Sequence, residues 1–399
     1  MAPVSDATHN ELRQLAASLS AKVEQYDRSN KESRSSIVRA AQQVIAAVGR
    51  IPEEQMLEDA IKAGEMVSKH LFSLWGVFDA IPDQGSVALA DLAVTVSCDV
   101  KLLARYARML VATGILDHDG PERVAHTDNS RIFVNQHPSG DLTQVMYAQG
   151  FVPYGKIDEY FEWNGKREPS GQSRNPLTFA YGDPDKFIWE VSYANPEQKN
   201  IFMRSQAAVQ SFYPATGEYD FAWVRDASEK TEPDRVLFVD VGGGNGHAVK
   251  SISSAYGIPL HRCVLQDMES VIEEVSQAGD SPDLRLMTID LHREQPVKGA
   301  LVYYLRHILH DYGDDASVEI LRVVRDAMAD DSRLLIAEQM LADPPKPQAT
   351  AIDLIMLNIG GKERTRAMFD SVVEAAGLEV VGYHSRPGSE HGVLECKRV

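Results

Sequence analysis

The chain has 399 residues, a formal net charge of −18, and 44% hydrophobic and 25% charged residues. That length allows two or three domains with sizeable cores, the composition is that of an ordinary globular protein, and the acidity argues against a nucleic-acid partner. Cys98, Cys263 and Cys396 are odd in number and too widely spaced for a zinc ribbon, so neither a disulfide framework nor a metal site is expected. The opening Met-Ala-Pro-Val-Ser-Asp lacks a basic and apolar leader, and no later stretch is apolar enough to span a bilayer. No membrane partner and a cytoplasmic setting are expected.

Leu12, Leu15, Leu19 and Val23 recur at helical spacing over 10–26, a polar run over 27–36 reads as a linker, and a second amphipathic helix begins near Ile37 and runs through Ile45 to Val48. Both apolar faces need a partner, either the protein's own core or a second subunit. A longer helical pattern covers 54–78 and ends before the turn Pro82-Asp83-Gln84-Gly85. Residues 87–93 read as a short helix, Cys98-Asp99-Val100 as a turn and cap, and 102–111 as another helix. The segment 114–117 then enters a two-stranded wing expected to return through 131–134. Helix, turn, helix and wing predict a winged-helix module. Lys101, Arg105 and Arg108 on its second helix would suit a DNA reader, but the acidic chain favours a structural role.

Residues 142–207 are rich in aromatics, among them Tyr147, Tyr160, Trp163, Trp189, Tyr193 and Phe202, and are broken by Pro153, Gly155 and Pro176. Such a segment either packs between domains or walls a site for a flat organic substrate. From Arg235 onward apolar runs alternate with helical patterns. Strands are predicted at 236–241, 262–266, 284–288, 300–305, 333–337, 378–383 and 393–396, with helices at 248–255, 270–277, 316–329 and 365–376. That alternation predicts a doubly wound α/β sheet of the Rossmann-like type, with ligands beyond the carboxyl ends of its strands.

The first strand runs into Val239-Asp240-Val241-Gly242-Gly243-Gly244-Asn245-Gly246-His247. Glycines between a buried strand and a helix let backbone N–H groups approach a nucleotide-like ligand. A dinucleotide fingerprint would place glycine at the sixth position from Gly242, where His247 stands; the fit is to acid-x-Gly-x-Gly-x-Gly, led by Asp240. Asp267 ends the second strand, where a carboxylate can accept hydrogen bonds from both ribose hydroxyls. Asp290 follows the third strand and could meet an adenine amino group, with Leu291 against the ring, or could cap a turn. The fourth strand leads into Tyr304-Leu305-Arg306-His307-Ile308-Leu309-His310-Asp311-Tyr312. A histidine facing the cleft can serve as general base, and carboxylates beside it fix its tautomer; Glu338, ending the fifth strand, and Glu363 are the candidates for His310. His307 is read as one of the structural histidines.

The ordered set Val-Asp-Val-Gly-Gly-Gly-Asn-Gly-His, Leu-Gln-Asp, Ile-Leu-His-Asp-Tyr and Gly-Gly-Lys-Glu-Arg-Thr resembles the plant and fungal small-molecule O-methyltransferases that use S-adenosylmethionine, over nearly the whole chain. The resemblance implies an N-terminal helical and winged-helix domain for homodimerisation and substrate lining, over 1–185, and a C-terminal methyltransferase domain over 186–399. By resemblance Asp240, Gly242, Gly243, Gly244, Asp267, Asp290, Leu291 and Arg306 bind the cofactor, with Arg306 where plant members carry lysine. His310 is the implied base, flanked by Glu338 and Glu363. Asn358, Asp311 and Trp189 are expected to contact a small-molecule substrate. Relatives of this family that keep the cofactor site but catalyse pericyclic reactions supply the alternative.

Overall fold

The computed structural model describes residues 9–27, 30–48, 52–386 and 389–399; the N-terminal hexapeptide and part of the polar run 27–36 lie outside them. Internal contacts divide the chain into two compact units, Met1–Arg131 and Ile132–Val399. This division precedes the boundary expected after residue 185. The intervening residues pack within the second unit: the helix Pro138–Met146 lies against the helix Pro196–Phe212, and the buried Asn175 donates from Nδ2 to the Ile359 carbonyl at 3.1 Å.

In the first unit the helices His9–Glu24, Lys31–Val48 and Pro52–Leu74 appear as periodicity predicts, except that the second starts earlier. Ser33 N donates to Asn30 Oδ1 at 3.2 Å, so what reads as a polar linker is in part a capped helix start. Residues 87–93 are not one helix. They form strand β1 (Val87–Ala88) and the start of the helix Leu89–Thr95. The helix Val100–Ala112 follows, with Asp99 accepting from Leu102 N at 2.9 Å and Leu103, Ala104, Ala107 and Leu110 forming its buried stripe. The wing is β2 (Leu116–His118) and β3 (Arg123–His126), in a three-stranded sheet of order β1-β3-β2. The return predicted at 131–134 is wrong, because Gly120-Pro121 turns the chain sooner and Arg131–Phe133 is a single 3₁₀ turn. No described helix is long and apolar enough to cross a membrane.

The second unit holds the large sheet: β4 (Phe238–Val241), β5 (Cys263–Asp267), β6 (Arg285–Thr288), β7 (Val302–Arg306), β8 (Arg333–Leu341), β9 (Arg364–Thr365), β10 (Leu378–His384) and β11 (His391–Arg398). Its order is β10-β11-β8-β7-β4-β5-β6, with β9 pairing the end of β8. Pairs from β6 through β8 are parallel, while β11 runs antiparallel to β8 and β10. Central strands bury both faces. Phe238, Leu265, Val302 and Tyr304 pack on one side with Val249 and Ile252, while Val239, Val264, Tyr303 and Leu305 pack on the other with Ile320 and Phe369. The strand order reverses between β4 and β7, so the loops leaving these two strands flank a crevice.

Candidate active site

At the carboxyl end of β4 the chain turns through Gly242 to Gly246 into the helix His247–Tyr256. Gly242 N and Gly243 N both donate to the Gln266 carbonyl, at 2.8 and 3.1 Å, which pins the loop to β5. A Cβ on Gly243 would stand 2.4 Å from Asp240 Cγ and 2.6 Å from Leu265 Cδ1, so only glycine permits this close approach. Asp240 itself is buried, accepts from Val249 N at 3.3 Å, and is pushed up to about 7 by burial. Asp267 receives Gly244 N and Met268 N, each at 2.8 Å, and burial raises its carboxyl above the ordinary range.

These groups open on a cavity of about 200 Å³ lined by Asp240, Gly242, Gly243, Gly244, Asp267, Met268, Leu291, Arg306 and Asp311, with Trp189 and Phe202 opposite. Arg306 donates from Nη2 to the Tyr213 carbonyl, and its buried Nε has no hydrogen-bond partner. Asp290 does not line this cavity. It accepts from His292 N at 3.0 Å and pairs with Arg293 at 3.0 Å, the turn-capping fate open to any aspartate after a strand.

After β7 the chain passes through His307, whose φ of 54° lies in the left-handed region, into the 3₁₀ turn Leu309–Asp311. Glu338, fully buried on β8, accepts from Ile308 N at 3.0 Å and Leu309 N at 2.8 Å and so clamps this turn. His310 Nδ1 lies 3.0 Å from Glu363 Oε1 and 3.8 Å from Glu338 Oε2, and its Nε2 lies 3.6 Å from Asp311 Oδ1. Burial would lower this imidazole, but the carboxylates of Glu338, Glu363 and Asp311 outweigh it and raise it to about 10. Burial also raises Asp311, to about 6, and Glu338. Glu338 Oε2 and Glu363 Oε2 are buried without a hydrogen-bond partner. His310, Asp311 and Glu338 therefore share protons in one small volume, and they titrate as a set.

Arg364 fastens the far side of the turn. Wholly buried, it reaches the Leu309 and Tyr312 carbonyls, each at 2.8 Å, Ser317 Oγ at 3.0 Å and Asp314 at 2.9 Å. Arg364→Met leaves the two carbonyls unpaired and is expected to cost roughly 2–4 kcal/mol of stability, read as a lowered urea midpoint at unchanged slope. A midpoint equal to wild type would show that Arg364 does not hold the turn.

A second cavity, of about 330 Å³, adjoins the first. Its walls are largely apolar, including Leu142, Val145, Met146, Phe212, Ile352, Met356 and Ile359. His310, Asp311, Glu363, Tyr213 and Gln339 supply polar groups. Trp189, Phe202, Gln206, Val209, His307 and Asp311 line both cavities. Asn358 is buried and donates from Nδ2 to the Gln149 carbonyl at 2.9 Å; it lies behind the wall rather than in it. Glu338 likewise backs the site without lining it. Nothing in the sequence marks Tyr213 or Gln339, and the one signal for His307, read from the sequence as structural, is its place immediately after β7.

Residues 167–379 match the O-methyltransferase domain, and residues 63–136 match the O-methyltransferase dimerisation domain. Methyltransferase cfoD of Aspergillus candidus is 37% identical over 385 residues, covering 94% of each chain. The chain belongs to the O-methyltransferase family. Its fold is also that of OxaC crystallised with sinefungin and meleagrin, at a TM-score of 0.86 and 24% identity over 98% of this chain and 100% of that one. A structure described as a pericyclic reaction enzyme aligns at 0.79 and 19% identity, over 98% and 100%. As an O-methyltransferase the protein is an enzyme, and its family draws the methyl group from S-adenosylmethionine. The first cavity fits such a donor: a carboxylate ends β5, Leu291 and Met268 offer apolar surface for a flat base, and Asp240, Asp267 and Asp311 suit a cationic ligand.

Proposed function

We propose that the protein moves the methyl group of S-adenosylmethionine to a hydroxyl, phenolic in character, of a small aromatic or polyketide-type secondary metabolite. The observation that carries this reading is His310, whose Nδ1 is engaged by Glu363 at 3.0 Å while the ring lines the apolar cavity adjoining the donor's. Gly242, Gly243, Gly244, Asp267, Leu291 and Arg306 hold the donor, which when bound supplies an electrophilic methyl on a sulfonium. Glu363 accepts a hydrogen bond from Nδ1–H and so fixes the tautomer, leaving Nε2 to take the proton of the acceptor hydroxyl. Glu338 positions the base by clamping the backbone of the preceding residues. Trp189 and Asp311 lie where acceptor and donor meet, and Asn358 supports the acceptor wall through Gln149.

The dimerisation domain supports a homodimer, as do Val38, Ile45, Val48, Met56, Leu57 and Ile61, all exposed in the single chain. Titration with S-adenosylmethionine by calorimetry, followed by S-adenosylhomocysteine release on a panel of phenols, tests the enzymatic reading. Saturable binding with release is expected. A second reading, pericyclic chemistry on a polyketide-derived substrate, is favoured by the fold shared with a pericyclic enzyme. Product formed without S-adenosylhomocysteine would move the assignment there.

A further inference from the structure

Outside the His310 cluster, one buried line of titratable side chains runs to the same cavity. Glu218, 4% exposed, meets His391 Nδ1 at 2.5 Å, and His391, 1% exposed, meets His307 Nε2 through its own Nε2 at 2.9 Å. Arg386 Nη2 and Ser389 Oγ also approach Glu218, at 3.4 and 3.3 Å. Tyr213 stacks on His391 with centroids 5.1 Å apart and meets His307 edge-on at 5.8 Å. His307 in turn lies nearly parallel to His310, at 25° and 5.5 Å between centroids. Its ring lines both cavities, and among the described residues its Nδ1 has no protein hydrogen-bond partner.

The polarity of this line follows from counting protons. Burial opposes ionisation of Glu218, but His391 and Arg386 prevail and hold its carboxyl below the ordinary range. An ionised Glu218 can only accept, so His391 Nδ1 carries a proton. Burial keeps His307 neutral, so where its Nε2–H donates to His391 Nε2 its Nδ1 keeps the lone pair. Burying two imidazoles and a carboxylate in series is costly unless the set does something that apolar packing cannot.

We propose that Glu218, His391 and His307 form a tautomer-fixing relay that presents His307 Nδ1 as a hydrogen-bond acceptor for the methyl-accepting substrate. The relay selects substrates carrying a second O–H or N–H group on an atom neighbouring, or next but one to, the hydroxyl that His310 deprotonates. With the two ring centroids 5.5 Å apart, both imidazoles can meet one aromatic ring. No lysine or arginine lines this cavity among the described residues, so an imidazole lone pair rather than a cation reads the second group. A substrate without that donor leaves the nitrogen desolvated and unpaired. His307 touches the substrate here, while Glu218 and His391 are positioning residues. The proposal rests on His310 as the base for methyl transfer.

The test uses matched phenols with and without a neighbouring hydroxyl, assayed by S-adenosylhomocysteine release. Wild type is expected to favour the hydroxylated member by about 10- to 100-fold in kcat/KM. His307→Asn, a residue that tolerates left-handed backbone, should shrink that preference to within about threefold, chiefly through KM of the hydroxylated phenol. In Glu218→Gln the amide can accept from His391 Nδ1 or donate to it, so neither tautomer is fixed and His307 Nδ1 becomes a donor in part of the molecules. Phenols with a neighbouring carbonyl should then gain on the hydroxylated ones, a change that a merely structural role would not produce. A cooperative urea transition in both variants, with the midpoint of the wild type or close to it, verifies that they are folded. A wild type indifferent to the neighbouring hydroxyl, or variants that keep its preference, would overturn the relay while leaving methyl transfer intact. Absence of release from every phenol would instead sink the methyl-transfer reading, and the relay's role with it.

Discussion

His310→Gln is expected to lower turnover by about 10²- to 10⁴-fold, the range over which a positioned general base contributes. Donor affinity should not fall, because His310 lines only the second cavity and not the first, which we propose holds the donor. Calorimetry with S-adenosylmethionine beside single-turnover rates separates the two quantities, and undiminished turnover would remove His310 from the chemistry. The pH profile gives an independent check. Three carboxylates raise His310 to about 10, so in the ligand-free enzyme the imidazole carries a proton at neutral pH and cannot accept another. Rate depends on the deprotonated fraction, so log kcat/KM at low donor concentration should climb with pH, at a slope near one, from neutrality towards pH 10. A sulfonium beside the cluster disfavours the imidazolium, which moves the inflection of kcat at saturating donor to lower pH. A kcat/KM profile flat from pH 7 to 9 would contradict the raised imidazole and the carboxylate cluster said to cause it.

Gly361→Ala should cut turnover about 10²-fold without removing any reacting group, the loss that accompanies a displacement on the order of 1 Å at a catalytic centre. A Cβ at Gly361 would lie 2.0 Å from the His310 carbonyl oxygen and 2.7 Å from the Asp311 carbonyl carbon. Both are backbone atoms, so no side chain can swing aside to make room. The neighbouring Lys362 N donates to that same His310 carbonyl at 2.9 Å, which ties the two segments together. The alanine must therefore push the His310 turn away from Glu363, lengthening the bond that fixes its tautomer. Binding of S-adenosylmethionine should persist, since the Gly242 loop is untouched. Wild-type kcat in Gly361→Ala would mean that the turn yields freely and that its clamps do not set the position of the base.

The parallel sheet was legible because each central strand is a short apolar run bounded by turn residues, and the sites at strand ends follow from the sheet. His310 follows the exit of β7 and Glu338 lies within β8, each a polar residue interrupting an apolar run, a pattern visible without coordinates, whereas Glu363 stands in a polar stretch just before β9. Asp290 shows the limit of that signal. An aspartate after a strand looks the same whether it waits for a ligand or caps its own turn, and here it takes His292 N and Arg293. The line from Glu218 to His307 could not be read at all. Its members stand in an irregular segment, at the start of β11 and at the exit of β7, and only the antiparallel return of β11 beside β8 brings His391 to His307. The helix Pro347–Asn358, absent from the predicted set, was hidden by its nearly uniform apolar character, which shows no amphipathic period.

Trp189, Phe202, Gln206 and Val209 face both cavities, and a partition with two tenants cannot be remodelled for one of them alone. With donor and acceptor placed as proposed, enlarging any of these side chains to grip a smaller acceptor also intrudes on the methyl donor, which is the same for every acceptor. Divergence towards new metabolites is thereby channelled to the opposite wall, where Leu142, Val145, Met146, Ile352, Met356 and Ile359 border the second cavity only. Most of those positions lie on the helices Pro138–Met146 and Pro347–Asn358, so two helix faces hold most of the freedom to acquire a new substrate while the donor's side stays fixed.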